Sequence, residues 1–131
     1  MLLKHHHLLF QGNVGIEPGD LHEDDLLRFF QALLNVVDMT CLIQPQVKLS
    51  QHNAWTGIIG IITSHIAFHY WVDEQYLQLD IYSCKEFDRF RTIAFLETFW
   101  KMSSSTSLFI DREIGKHFEI ERIGFEGQGE E

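Results

Sequence analysis

Cationic side chains are scarce in this chain: 10 Lys and Arg stand against 19 Asp and Glu in 131 residues, a formal net charge of -9. That balance leaves no basic footprint for nucleic acid and works against docking on an anionic membrane surface, so neither is expected as a partner. Cysteine is nearly absent. Two residues, Cys41 and Cys84, cannot build a disulfide framework, and with no secretory leader visible the expectation is a reducing compartment, the cytoplasm. No apolar run free of charges is long enough to cross a bilayer. Proline occurs twice, at Pro18 and Pro45, so few points force the chain out of regular structure.

Hydrophobic residues make up 45% of the sequence and aromatics 13%, ample for a packed core, and the length fits one domain. The N-terminal run His5-His6-His7 followed by Leu8-Leu9-Phe10-Gln11-Gly12 has the look of a purification tag joined to a protease site. Three histidines are few for a tag, and the apolar run behind His7 is read here as a first strand. At the other end, residues 124–131 are glycine-rich and acidic with little to bury, so a single domain over 1–123 with a flexible acidic tail is expected.

Between these ends, strand and helix patterns alternate. Asp20 with Glu23 has the form of a capping box, and Leu26, Phe30, Leu33, Leu34 and Val37 recur at helical steps, which predicts a helix over residues 21–37. Cys41-Leu42-Ile43 leads through Pro45 to Val47-Lys48-Leu49, an extended segment suited to an edge or a bulge. Residues 57–71 run without a turn signal until Val72-Asp73-Glu74-Gln75. Residues 76–82 then alternate, with Leu77, Leu79 and Ile81 opposite Gln78, Asp80 and Tyr82. The short loop between these two segments predicts an antiparallel hairpin. A second helix over residues 86–101 is expected to bury Phe87, Phe90, Ile93, Ala94 and Trp100, leaving Phe95 and Phe99 off that face as a surface for a partner subunit. Residues 108–110 and 117–123 supply closing strands. The predicted fold class is α+β, a two-layer sandwich with two helices on one face of an antiparallel sheet.

The chemistry concentrates in Thr63-Ser64-His65-Ile66-Ala67-Phe68-His69-Tyr70-Trp71 and in Leu79-Asp80-Ile81-Tyr82-Ser83-Cys84. One hairpin gathers a hydroxyl nucleophile, two histidines and a thiol. A serine hydroxyl is able to attack the carbonyl of the preceding residue and turn the peptide bond into an ester when the backbone is strained and a base is near. Strict alternation puts His65 and His69 on one strand face and Ser64 on the other, so cooperation of Ser64 with His69 requires a bend or bulge near Ser64. Each residue also has an ordinary structural reading: Ser64 as a small strand residue, His69 as a satisfied strand histidine, Cys84 as a small hydrophobe. His65 and His69 are too far apart on a strand to share a metal, and Gly57-Ile58-Ile59-Gly60 does not match a phosphate loop, so no metal or nucleotide site is expected.

This order of residues resembles the self-processing site of the prokaryotic S-adenosylmethionine decarboxylases, over about residues 7–108. The resemblance implies a homodimer that cuts itself between Thr63 and Ser64. β-Elimination and hydrolysis of the dehydroalanine would leave a pyruvoyl cofactor derived from Ser64. By position it assigns processing roles to His69 and Thr56, proton donation to Cys84 and a substrate contact to Asp73, with Trp55 as the ring to compensate for a missing adenine-stacking aromatic. The substrate would be S-adenosylmethionine, its product serving polyamine (spermidine) synthesis. Departures favour two alternatives. The family's Glu-Ser-His is Thr63-Ser64-His65 here, which favours an unprocessed binding or regulatory homologue. The segment that usually supplies an adenine-stacking ring reads Val47-Lys48-Leu49-Ser50-Gln51, which favours another basic amino acid, ornithine or arginine, as substrate. Trp71-Val72-Asp73 keeps the acid of the family's Trp-Pro-Glu on a shorter arm.

Overall fold

A computed structural model describes residues 4–124. The chain order is β1 (His6–Asn13), a 3-10 turn (Pro18–Asp20), α1 (Glu23–Val37), β2 (Cys41–Leu49), β3 (Ala54–Ile61), β4 (Ser64–Trp71), β5 (Tyr76–Ser83), α2 (Arg89–Phe99), β6 (Thr106–Asp111) and β7 (Glu119–Ile123). Seven strands form one sheet in the order β2-β3-β4-β5-β1-β6-β7, and every neighbouring pair is antiparallel. The N-terminal histidines belong to this sheet, with β1 paired to β5 on one side and β6 on the other.

The period-2 pattern of the strands divides the sheet into two unlike faces. Leu8, Phe10, Ile66, Phe68, Tyr70, Leu77, Leu79 and Ile81 point one way and are fully or almost fully buried. Both helices cover that face. Phe29 of α1 packs on Phe68, and Trp100, the C-cap of α2, packs on Phe68, Tyr70 and Phe29. The architecture is the expected two-layer α+β sandwich. Among the described residues the other face carries no helix, and its residues are those that alternate outward: His7, Leu9, Gln11, Thr56, Ile58, His65, Ala67, His69, Gln78, Asp80 and Tyr82.

Several local expectations are corrected. The α1 capping box is formed by His22 and Asp25, with the His22 N–H donating to Asp25 Oδ2 at 2.8 Å, while Asp20 lies in the preceding 3-10 turn. Residues 57–71 are not one strand: Ile61 pairs with Ser64, so Ile62 and Thr63 form a two-residue turn. Helix α2 starts at Arg89, capped by Asp88, whose Oδ1 accepts from the N–H groups of Phe90 and Arg91 at 3.1 Å. Its inward face is Thr92, Ile93 and Leu96, whereas Phe90 is 55% exposed and Ala94 is exposed. Phe95 and Phe99, expected to face outward, are half-buried and pack against Phe29 at the margin of the core, because α1 lies along that side of α2. Pro45 does sit in an edge strand, and β2 pairs with β3 through two register shifts. Beyond Gly124, the expected acidic tail lies outside the described residues.

Candidate active site

Tight two-residue hairpins usually need positive φ at their central residues. Neither Ile62 nor Thr63 adopts it; the unusual dihedral falls on the next residue, Ser64, at φ 157°. Strand β5 ends beside this turn, with Ser83 opposite Ser64. The Cys84 N–H donates to the Thr63 carbonyl at 2.9 Å. Ser83 Oγ donates to Thr63 Oγ1 at 2.9 Å and in turn accepts the Lys85 N–H at 2.9 Å. The peptide bond between Thr63 and Ser64 is thus held on its carbonyl side by the chain that follows β5, and Cys84 lies directly beside it.

The remaining sequence-assigned residues lie elsewhere. Thr56 and His69 are directly opposed across β3 and β4, and Thr56 Oγ1 is hydrogen-bonded to His69 Nδ1 at 3.0 Å. Asp73, in the turn before β5, accepts from Asn53 Nδ2 at 2.9 Å and lies at this same end of the hairpin. The register of β4 with both neighbours is unbroken from Ser64 to Trp71, so the bulge that cooperation with His69 would need is missing. The five steps from Ser64 to His69 place them about 17 Å apart, at roughly 3.4 Å per residue. Trp55 points to the helix-covered face and is part of the core, on the opposite side of β3 from Thr56.

A network on the helix-free face escaped the sequence reading. Asp80 Oδ2 lies 3.0 Å from His7 Nε2 and 3.3 Å from His65 Nε2. Arg112 Nη1 lies 3.2 Å from His7 Nδ1, its guanidinium stacks 4.7 Å from the Tyr82 ring centre, and Tyr82 Oη meets His5 Nδ1 at 3.1 Å. Burial works to raise the Asp80 pKa, but the hydrogen bond and charge of His7, with those of His65, outweigh it and hold the carboxyl below its ordinary value. Alternation did put His65, Asp80 and Tyr82 on outward faces. Their meeting depends on the β4–β5–β1 register, which pairs His65 with Tyr82 and Tyr82 with His7.

A concavity of about 430 Å³ opens on this helix-free face across β4, β5, β1 and β6. Leu9, Ala67 and Leu108 line it, with His7 and Asp80 toward the Ser64 end and His69 and Gln78 toward the other. An apolar lining between two polar ends suits a small organic ligand. Among the described residues no group of His, Cys, Asp and Glu is placed to hold a metal ion, and no helix is long and apolar enough to cross a membrane.

Comparison with known proteins gives a consistent picture. The family model described as S-adenosylmethionine decarboxylase matches residues 14–113. Among solved structures, the crystal structure of the adenosylmethionine decarboxylase from Aquifex aeolicus VF5 is similar with a TM-score of 0.71 and 18% identity, covering 89% of this chain and 97% of that one.

Proposed function

The chain belongs to the S-adenosylmethionine decarboxylase family, and from that premise we propose that it is a self-cleaving, pyruvoyl-dependent decarboxylase of S-adenosylmethionine whose product serves polyamine (spermidine) synthesis in the cytoplasm. The observation that carries this reading is the treatment of one peptide bond. Ser64 follows a tight turn with an unusual φ, and the carbonyl that its hydroxyl would attack accepts the Cys84 N–H at 2.9 Å. Outlying backbone at a reactive position is a device for storing strain, and a backbone donor on the attacked carbonyl stabilises the oxyanion that forms there.

The cleavage balances as follows. The Ser64 Oγ–C bond forms as the Thr63 C–N bond breaks, and the hydroxyl proton passes to the freed nitrogen. Loss of the Ser64 α-proton then expels the Thr63 carboxylate and leaves dehydroalanine, whose hydrolysis releases ammonia. The residues around Ser64 suit the resulting pyruvoyl group, because Ser64 begins a strand and is free to become an N-terminus without unpairing the strand behind it. When formed, that group supplies a carbonyl able to accept the electrons left as carbon dioxide departs. Cys84 is the proton donor in this reading. Thr56 and His69 form the processing pair, and Asp73 contacts the substrate.

Ser64 and His69, at opposite ends of β4, do not meet within one chain. A second copy packed through the helix-free face about a two-fold axis that crosses β4 at right angles would bring the His69 end of each copy to the Ser64 end of the other, the same patch serving both copies. Leu9, Ile43, Ile58 and Ile120 supply exposed apolar surface on that face. In a homodimer of this form Thr56 and His69 of one copy would serve Ser64 of the other, while Trp55 stays in the core.

Intact-mass measurement and denaturing electrophoresis test the central claim. The purified chain should separate into fragments 1–63 and 64–131, and Ser64→Ala should remain whole. A parent chain that stays full-length after prolonged incubation would reject the pyruvoyl mechanism and promote an unprocessed, non-catalytic role.

A further inference from the structure

We propose that Asp80 is a positioning residue that holds His65 as the proton acceptor for the amine of the substrate. The hydrogen-bonding capacities of the network fix the direction of each bond. A guanidinium has donors only, so at 3.2 Å from Arg112 Nη1 the His7 Nδ1 must accept. The proton of a neutral His7 is therefore on Nε2, where it donates to Asp80 Oδ2 at 3.0 Å. An ionised carboxylate has acceptors only, so His65 Nε2, at 3.3 Å from the same oxygen, must also donate. In neutral His65 this leaves Nδ1 with its lone pair free. The chain runs from Arg112 through His7 to Asp80, and His65 is its open end: side-chain exposure rises from 19% at His7 through 30% at Asp80 to 43% at His65.

Position gives this acceptor a task. The opposite face of β4 is sealed by the helices, so a ligand reaches the Ser64 end of the strand from the helix-free face, where His7 and Asp80 line the concavity. His65 follows Ser64 directly and lies on that face. An amine substrate arrives as an ammonium and must lose a proton before its nitrogen attacks a carbonyl. The proton passes from the ammonium nitrogen to His65 Nδ1, giving a free amine and an imidazolium whose charge the Asp80 carboxylate stabilises. The same division of labour between base and orienting carboxylate operates in hydrolase triads. Tyr82, under the Arg112 guanidinium, and His5, bonded to Tyr82 Oη, complete the surroundings.

The task rests on the decarboxylase reading, whereas the tautomer does not, and the experiment separates them. Long-range proton–nitrogen correlation spectra of ¹⁵N-histidine-labelled Ser64→Ala chain should show neutral His65 with its proton on Nε2. Adding Asp80→Asn, whose amide is able to donate as well as accept, should give mixed tautomers in a chain that keeps its dispersed spectrum. In the chain with Ser64 intact, Asp80→Asn should lower decarboxylation kcat/KM by about tenfold or more, set against the roughly 10²–10⁴-fold that a positioned base supplies. Asp80→Glu should restore part of it. A His65 protonated on Nδ1, or a folded Asp80→Asn protein with parental kcat/KM, overturns the proposal. A parent that neither cleaves nor decarboxylates overturns the task and the functional reading together, while the spectra still decide whether Asp80 sets the His65 tautomer.

Discussion

Cys84 contributes two separable groups. Its backbone N–H holds the Thr63 carbonyl, and its thiol lies one residue past the end of β5 as the assigned proton donor. Cys84→Ala removes the thiol and keeps the N–H. Self-cleavage should therefore proceed near the parental rate, while turnover falls or diverts to transamination of the pyruvoyl group. A Cys84→Ala enzyme that decarboxylates as fast as the parent would return this residue to ordinary packing. At this scale the sequence carries the type and order of the candidate groups Ser64, His69 and Cys84, and the structure adds where they lie relative to one another. Pairings were less legible. That Thr56 meets His69, or that Asp80 gathers His7 and His65, depends on which residues of separate strands come opposite one another, and residue types alone do not fix a register.

Strand and helix identities followed from hydrophobic period, and the departures have local causes. The turn at Ile62 and Thr63 left no trace in the sequence because it contains no Gly, Asn or Pro; the demand for unusual backbone is passed to Ser64 instead. Helix α2 carries apolar residues around much of its circumference, so no single stripe announces its inward face, and contact with α1 selects Phe95 and Phe99 over Phe90 and Ala94. The apolar pattern runs ahead of α2 for a simpler reason: Phe87 is buried but precedes the cap. Asp88→Ala removes the acceptor of two backbone N–H groups and should cost about 1 kcal/mol of stability. Chemical denaturation would read this as a lower midpoint at unchanged slope, and an unchanged midpoint would mean that water replaces the cap without loss.

For the molecule as a whole, the packing of Phe95 and Phe99 against α1 removes the reason for seeking a partner surface there, and in the proposed homodimer the sheet is the face through which copies would meet. The separation of Ser64 from His69 makes the same point independently, since about 17 Å of unbroken strand lies between the nucleophile and its assigned base. Two inactive variants therefore offer a test. Ser64→Ala retains His69, and His69→Ala retains Ser64; alone, each should remain uncleaved. Refolded together with distinguishable masses, they should form mixed dimers in which only the His69→Ala chain is cut, at the one site where an intact Ser64 faces an intact His69. The yield should approach half of the His69→Ala chains when mixed and matched pairs form at random in an equimolar mixture. If sedimentation shows dimers exchanging and neither chain is cut, the shared site is wrong, and His69 acts, if at all, within its own chain after a rearrangement of β4.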